Sequence, residues 1–198
     1  MKSKQGLYGL ILTGGESSRM GEPKYLLDYH GMSQVNYLSQ LLEKYCDDVF
    51  ISCSPEQSKD PALPKKGIVD EIQFQHCGPM GGLLSAFNKV DGAFLMVGCD
   101  YPYFQEIDLM EILDSRDPSH CATVFLNPEQ QLPEPFPGIY ELKSKLLLME
   151  RFAQKQYSLR SFLTTVETKL VIPTRPNCLI SVDTREAFEE AKRKLKNP

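Results

Sequence analysis

The sequence has no apolar stretch long enough to cross a bilayer, and it has no excess of basic residues. Its early apolar run, over residues 7–12, is shorter than the hydrophobic region of a secretory signal and lacks a small-residue cleavage site. The formal net charge of −4 argues against a general role on nucleic acids or membrane surfaces. We therefore expect a cytoplasmic protein without nucleic-acid or membrane partners.

The sequence also has no C-x-x-C pair, and no cysteine has a histidine nearby at a metal-binding spacing. The six cysteines are scattered along the chain, at positions 46, 53, 77, 99, 121 and 178. This pattern disfavours disulfide bonds and a zinc site. It predicts reduced cysteines that are mostly packed in the interior.

A chain of 198 residues without internal repeats or a compositional break predicts one domain over residues 1–198. Strands are predicted at 7–13, 48–54, 67–69, 94–98, 122–126, 138–142, 169–172 and 179–182. Helices are predicted at 33–45, from 76–82 to 89, at 106–114, 143–153 and 159–165, and after Thr184. Loops are predicted at 55–66 and 127–137. The alternation indicates an α/β fold, with a doubly wound, mainly parallel sheet flanked by helices.

The first predicted strand runs directly into a glycine-rich loop, within LILTGGESSRMGEPKYLL at residues 10–27. Gly14 and Gly15 allow a sharp turn and a close approach to a ligand, because glycine accepts positive φ. Consecutive backbone N–H groups in such a loop bind anions. Arg19 can hold phosphate oxygens through two hydrogen bonds, and Lys24 adds a mobile positive charge. The loop therefore predicts a triphosphate-binding site.

Two better-known phosphate-binding motifs do not fit this loop. A P-loop ends in Gly-Lys-Ser/Thr, but Gly21 is followed by Glu22, and no G-x-G-x-x-G fingerprint is present. The stretch instead resembles L-x-G-G-x-S-x-R-M-G-x-x-K, the signature of the molybdenum cofactor guanylyltransferases, or MobA family of nucleotidyltransferases. The matching residues are Leu12, Gly14, Gly15, Ser17, Arg19, Met20, Gly21 and Lys24.

This resemblance extends over nearly the whole chain and implies a Rossmann-like nucleotidyltransferase fold. It implies catalytic roles for Arg19, Lys24 and Asp100. It implies a GTP-binding set of Leu12, Thr13, Gly14, Gly15, Lys24, Ser52, Asp70, Gly78, Gly82 and Asp100. Thr13 stands where the family usually has alanine. The glycine that follows it favours the guanylyl branch, since the cytidylyl branch resembles L-A-A-G.

The resemblance also implies a magnesium site. Asp100, in G-C-D-Y-P, matches the family's C-D-x-P motif, whose aspartate holds the metal. Mg²⁺ favours one or two carboxylates together with phosphate oxygens and water. Asp183, in S-V-D-T, stands where the family usually has N-x-N-T. Asp183 either completes the metal site or stabilises the start of the last helix, and the pattern leaves both roles open.

Three further positions are implied to contact the nucleotide. Asp70 follows a short predicted strand, and its carboxylate could accept hydrogen bonds from the N–H groups of guanine. The stretch 78–82, GPMGG, resembles the family's G-P-L-A-G, where backbone approaches the nucleotide at a helix start. Ser52 aligns with an asparagine of the family, and this substitution leaves its role open.

The function implied by the resemblance is Mg²⁺-dependent transfer of GMP from GTP to the terminal phosphate of molybdenum-molybdopterin, with release of pyrophosphate. The product would be molybdopterin guanine dinucleotide, and cofactor-delivery proteins would be its partners. A phosphate nucleophile is already ionised near neutral pH, which agrees with the lack of a Ser-His-Asp or Cys-His arrangement. Three alternatives stay open: a related enzyme that uses CTP or a sugar phosphate, a degenerate nucleotide-binding protein in cofactor delivery, and a structural interaction domain that binds no triphosphate.

Overall fold

The computed structural model describes residues 6–13, 22–63 and 66–196. The strands are β1 (Leu7–Leu12), β2 (Val49–Cys53), β3 (Gly67–Val69), β4 (Ala93–Gly98), β5 (Ala122–Asn127), β6 (Leu132–Tyr140) and β7 (Thr168–Val171). The helices are α1 (Gln34–Leu42), α2 (Pro79–Lys89), α3 (Glu106–Asp114), α4 (Ser144–Ala153), α5 (Leu159–Leu163) and α6 (Arg185–Lys196). Within these described ranges, the strands form one sheet in the order β3-β2-β1-β4-β6-β5-β7.

The sheet is mainly parallel, since β6 is the strand that pairs antiparallel with its neighbours β4 and β5. At its centre, β1 lies between β2 and β4, and the register pairs Leu12 with both Ser52 and Gly98. The carboxyl ends of these strands therefore meet at one edge of the sheet. The prediction of a doubly wound, mainly parallel sheet is confirmed.

Helices cover both faces of the sheet because side chains alternate along its buried strands. In β4, Leu95 and Val97 pack in the apolar cluster beneath α1 and α3. Phe94 and Met96 point the other way, into the cluster beneath α2, α4 and α5. A strand that is buried on both faces is a continuous apolar run in the sequence, which is why these strands were predictable. Among the described helices, none has the length and apolar character that a membrane span requires.

The last helix, α6, packs in a separate apolar cluster beside the carboxyl edge of the sheet. Within this cluster, the ring centroids of Tyr29 and Phe188 are 5.0 Å apart in an edge-on arrangement. Thr184 caps α6, because its side-chain oxygen accepts a hydrogen bond from the backbone N–H of Ala187 at 3.2 Å. This confirms the predicted cap and fixes the residues just before the helix.

The prediction of a loop over residues 127–137 is confirmed only for the turn at 128–131 and is wrong beyond it, because β6 begins at Leu132 and contains three prolines. Proline cannot donate to a β-ladder and is tolerated only where no donor is needed. Pairing of β6 with β4 begins only at Gly138, beyond the prolines. The pairing of β6 with β5 is irregular between Val124 and Leu126. In the proline-rich half of β6, pairing with the neighbouring strands therefore needs few backbone N–H donors.

The predicted strand over residues 179–182 is also wrong. A short 3-10 helix, Pro176–Leu179, ends at the first of these residues, and residues 180–182 form no strand before α6. Leu179 and Val182 are buried in two different apolar clusters. Their apolar character therefore reflects burial in the interior rather than pairing in the sheet. The predicted strand over residues 138–142 is the last part of β6, which ends at Tyr140.

The prediction that the cysteines are packed is confirmed, since all six are buried free thiols. Burial raises the pKa of Cys46 to about 12, so this thiol stays protonated at neutral pH. A buried, protonated thiol is a poor nucleophile and a poor metal ligand. Cys46 therefore acts as a small apolar residue of the core.

A buried ion pair between Arg116 and Glu141 gives a test of the fold. Two nitrogens of the guanidinium lie 2.7 and 2.9 Å from the two carboxylate oxygens, and the side chains are 7% and 6% exposed. We expect Arg116→Met to lower the free energy of unfolding by about 3–5 kcal/mol, because it removes this partner from a buried carboxylate. Urea unfolding followed by circular dichroism measures the change.

The control is the exposed ion pair between Lys44 and Glu106, whose charged atoms are 3.0 Å apart. Lys44→Met should cost less than about 1 kcal/mol, because water already screens this pair. Equal losses of stability in the two variants would contradict the prediction that the buried pair contributes more to the free energy of unfolding than the exposed pair.

Candidate functional site

A cavity of about 430 Å³ opens at the carboxyl edge of the sheet, over the ends of β1 to β4. Its volume lies in the range of pockets that bind small molecules. Seven residues singled out from the sequence line this cavity: Leu12, Thr13, Lys24, Ser52, Asp70, Gly78 and Asp100. Gly82 and Asp183 are next to residues of this lining, Ser52 and Lys24 respectively.

Gly14, Gly15 and Arg19 lie outside the described residues. The segment before them ends at the cavity, where the backbone N–H of Thr13 donates to the carbonyl of Ser52 at 3.2 Å. The phosphate-binding roles of Gly14, Gly15 and Arg19 stay predictions from the sequence.

The charged end of the cavity is formed by Lys24, Asp100 and Asp183. The ammonium of Lys24 lies 3.5 Å from a carboxylate oxygen of Asp100 and also donates to Asp183. Burial by itself would lower the pKa of Lys24, but the hydrogen bond to Asp183 and the charge of Asp100 raise it. Lys24 is therefore a fixed positive charge between two carboxylates.

Asp100 is the less exposed of the two carboxylates, since its side chain is 23% exposed and that of Asp183 is 57% exposed. Burial raises the pKa of the Asp100 carboxyl, and the charge of Lys24 offsets only part of this effect. The fold holds the residue closely, because its backbone carbonyl accepts the N–H of Val182 at 2.8 Å. A Cβ atom at Gly98 would lie 2.3 Å from the carboxylate. Glycine at this position therefore gives Asp100 the room to turn back over the end of β4.

The opposite end of the cavity carries hydroxyl groups and one carboxylate. The hydroxyl of Ser52 donates to the carboxylate of Asp70 at 3.1 Å. Burial raises the pKa of Asp70, while the hydrogen bond from Ser52 acts in the opposite direction. A Cβ atom at Gly82 would lie 2.3 Å from the hydroxyl oxygen of Ser52. Gly82 thus makes space for Ser52 and does not itself line the cavity.

Several residues of the cavity lining were missed from the sequence. Gln57 was assigned to an exposed loop, but it begins a short 3-10 helix, Gln57–Lys59, and lines the cavity. Phe136 was assigned to the proline-rich loop, but it lies in β6 and packs edge-on against Tyr101, with ring centroids 5.6 Å apart. The antiparallel direction of β6 brings its first half to the carboxyl edge of the parallel strands. No local sequence pattern indicates either placement.

Asp100 and Asp183 are the residues of this site that could hold a metal ion. Within the described ranges, no group of three or more His, Cys, Asp or Glu side chains is arranged to bind a metal. Mg²⁺ does not need such a group, because one or two carboxylates with phosphate oxygens and water complete its shell. Asp100 and Asp183 already converge on one cation, the ammonium of Lys24. The donor set therefore fits Mg²⁺ that arrives with a phosphorylated ligand.

Comparison with known proteins shows the family and the fold. The sequence model of a family described as the MobA-like NTP transferase domain matches residues 9–170. Over 188 residues, the chain is 25% identical to "Probable molybdenum cofactor guanylyltransferase" of Bacillus licheniformis, which covers 91% of this chain and 94% of that protein. The crystal structure of molybdopterin-guanine dinucleotide biosynthesis protein A from Archaeoglobus fulgidus has the same fold, with a TM-score of 0.76 at 15% identity. That match covers 96% of this chain and all of the other.

A longer relative is also similar. The chain is 36% identical over 140 residues to "Molybdenum cofactor biosynthesis bifunctional protein" of Synechocystis sp.. This match covers 70% of this chain but only 40% of the Synechocystis protein. The similarity therefore concerns one part of that longer protein.

The burial of Asp100 leads to a prediction about stability. Because its pKa is raised in the folded state, its charged form costs stability at neutral pH. We expect Asp100→Asn to raise the melting temperature by about 2–4 °C at pH 7, as a gain of about 1 kcal/mol does in a chain of this size. The gain should shrink as the pH falls and vanish below the ordinary value of 3.8, where the carboxyl is protonated in both states. Calorimetry between pH 3 and pH 8 measures it.

The control is Asp117→Asn. Hydrogen bonds from Ser119 lower the pKa of Asp117, so its charged form is favoured in the folded protein. Its neutralisation should therefore give no gain at pH 7. A gain of equal size in both variants would show that reduced net charge, rather than burial of Asp100, is the cause.

Proposed function

The chain belongs to the MobA-like NTP transferase family and is a nucleotidyltransferase, and on this premise we propose that it transfers GMP from GTP to the terminal phosphate of molybdenum-molybdopterin. The reaction would require Mg²⁺ and would give molybdopterin guanine dinucleotide and pyrophosphate. The observation that carries the proposal is the convergence of Lys24, Asp100 and Asp183 at one end of a cavity that has Ser52 and Asp70 at the other.

Asp100 and Asp183 would hold Mg²⁺ together with phosphate oxygens of the nucleotide. When bound, Mg²⁺ neutralises the charge that builds on the phosphate oxygens as pyrophosphate leaves. Two carboxylates from the ends of different elements suit this role, since Mg²⁺ is usually held by one or two carboxylates and substrate phosphates. Asp183 is 57% exposed, so a cation reaches it from solvent.

Lys24 and Arg19 would bind the triphosphate. Lys24 lines the cavity beside Asp100 and supplies a positive charge whose raised pKa keeps it protonated. The Arg19 guanidinium suits phosphate oxygens, because it can donate two parallel hydrogen bonds. Together they offset the charge of the triphosphate and leave its α-phosphate open to attack.

The second substrate would need no general base, because its phosphate is ionised at neutral pH. The arrangement of His30 agrees with this. Its ring stacks on Tyr37 with centroids 3.7 Å apart, and one ring nitrogen is bonded to the carbonyl of Pro102. These contacts give His30 a packing role. Phe136 gives the cavity an apolar wall near Asp100, and such a surface suits a flat heterocycle such as a pterin.

The choice of guanine would depend on Asp70. Its carboxylate accepts one hydrogen bond from Ser52 and has acceptor capacity left for the N–H groups of the base. A site built to pair with a donor discriminates strongly against a base that lacks it, because the acceptor is then left buried and unpaired. The glycines that follow Thr13 and the guanylyltransferase relative from Bacillus licheniformis support the same choice.

The proposal is tested by thermal stabilisation with GTP, CTP, ATP and UTP, each with and without Mg²⁺. A ligand at about 100 times its dissociation constant stabilises a folded protein by about 2.7 kcal/mol, and at equal concentrations the triphosphate with the lowest dissociation constant gives the largest shift. We expect the largest shift with GTP and Mg²⁺. Asp100→Ala should abolish the part of the shift that depends on Mg²⁺, and Asp183→Ala should reduce it. Pyrophosphate release in the presence of molybdopterin then measures the transfer itself.

Other outcomes would redirect the assignment. The largest shift with CTP would move the chain to cytidylyl transfer. GTP binding without pyrophosphate release would indicate a nucleotide-binding role in cofactor delivery, and release that depends on a sugar phosphate would replace the pterin as acceptor. A protein that is stabilised by no triphosphate would contradict the proposal entirely.

A further inference from the structure

The side chain of Gln57 connects two loops at the base of the cavity. Its amide nitrogen donates to the carbonyl of Thr13 at 3.1 Å. Its amide oxygen accepts the backbone N–H of Ser54 at 2.9 Å and lies 3.3 Å from the hydroxyl of Thr13. The amide is therefore fixed at both of its polar atoms. It ties the end of β1 to the segment that follows β2.

From Thr13 the hydrogen bonds continue across the sheet edge. The hydroxyl of Thr13 donates to the carbonyl of Ser52 at 2.7 Å, and the hydroxyl of Ser52 donates to Asp70 at 3.1 Å. Gln57, Thr13, Ser52 and Asp70 all line the cavity. The chain of hydrogen bonds thus runs from the loop after β2 to the residue after β3.

The side of the cavity formed by Gln57, Thr13, Ser52 and Asp70, called this wall below, does not suit a phosphate group. Its charged group is the Asp70 carboxylate, which repels an anion, and its other members are neutral amide and hydroxyl groups. Among the lining residues that the structure describes, the cation is Lys24, which lies with Asp100 at the end of β4. For a nucleotide that carries Mg²⁺, the proposed magnesium site and Lys24 therefore favour the phosphates at the Asp100 end of the cavity and the base at the Asp70 end.

We propose that Gln57 is a positioning residue for the nucleobase. By holding the carbonyl of Thr13, whose hydroxyl donates to the carbonyl of Ser52, it sets the position of Ser52 and, through Ser52, the direction of the Asp70 carboxylate. The inference rests on the proposed function in taking a nucleoside triphosphate with bound Mg²⁺ as the ligand. It adds a determinant of base recognition that lies outside the glycine-rich motif.

The chemistry of the contact requires a primary amide at position 57. The same side chain must donate to the carbonyl of Thr13 and accept from the N–H of Ser54. A glutamate has the same shape but no donor, so it would place a carboxylate against a carbonyl oxygen. Gln57→Glu therefore removes one hydrogen bond with almost no change in volume, and Gln57→Ala removes the whole connection.

The test compares a complete nucleotide with a probe that lacks a base. Dissociation constants are measured by calorimetry, with Mg²⁺, for the best-binding nucleoside triphosphate and for inorganic tripolyphosphate. We expect Gln57→Glu and Gln57→Ala to weaken nucleotide binding by about tenfold, which corresponds to about 1.4 kcal/mol. Tripolyphosphate binding should change by less than about twofold, since the phosphates do not use this wall.

Kinetics separate positioning from a general structural effect. In the transfer reaction, both variants should raise KM for the nucleotide about tenfold with kcat nearly constant, because the lost interaction is made equally in the ground and transition states. The preference for GTP over ATP should narrow. Gln73→Ala is the matched control, because exposed Gln73 also lies in a short 3-10 helix and its amide bonds only to Glu71 in the described contacts. It should behave as the wild type.

The outcomes distinguish this inference from the proposed function. Equal weakening of nucleotide and tripolyphosphate, or a lower kcat at constant KM, would overturn the role of Gln57. A wild type that prefers CTP would overturn guanylyl transfer but leave the comparison intact, since the comparison uses whichever triphosphate binds best. A wild type that binds tripolyphosphate as tightly as any nucleotide would overturn the role of Gln57 alone. A wild type that binds neither nucleotide nor tripolyphosphate would overturn both the role of Gln57 and the proposed function.

Discussion

The ion cluster of Lys24, Asp100 and Asp183 connects three distant parts of the chain. Lys24 follows the glycine-rich segment, Asp100 ends the buried strand β4, and Asp183 precedes α6. Their association requires the parallel register of β1 and β4, which brings the ends of these strands to one edge. It also requires the packing of α6 in the apolar cluster that contains Tyr29 and Phe188. A partly buried carboxylate is unfavourable alone, so the fold supplies the cation that makes its charge tolerable.

The cavity has two chemically different ends, and the sheet topology produces this difference. Each parallel strand delivers one side chain to the edge, so neighbouring functional groups follow the strand order rather than the chain order. Ser52 and Asp70 come from β2 and β3 on one side of β1, whereas Asp100 comes from β4 on the other. An elongated ligand with a polar ring and an anionic tail matches such an arrangement. The reversed strand β6 then closes the charged end with an apolar wall.

Much of this could be predicted from the sequence, because the signals involved are local. Buried parallel strands are uninterrupted apolar runs in the sequence. Functional residues lie one or two positions beyond the carboxyl ends of such strands, and Asp70 and Asp100 are predictable for this reason. The strand within residues 127–137 was not predicted, because its prolines indicate a loop. Its pairing depends on the neighbouring strands β4 and β5, which no local sequence pattern shows. Gln57 was missed because its contacts with Thr13 arise only when β1 and β2 are paired.

The pairing of Lys24 with Asp183 has a consequence for folding. The two residues are 159 positions apart in the chain. A contact of such long sequence separation closes a large loop, and the chain entropy lost in closing it must be offset by other native contacts. The charged end of the cavity therefore depends on the folding of the whole segment between these residues. A destabilising change far from the cavity would loosen this end as well.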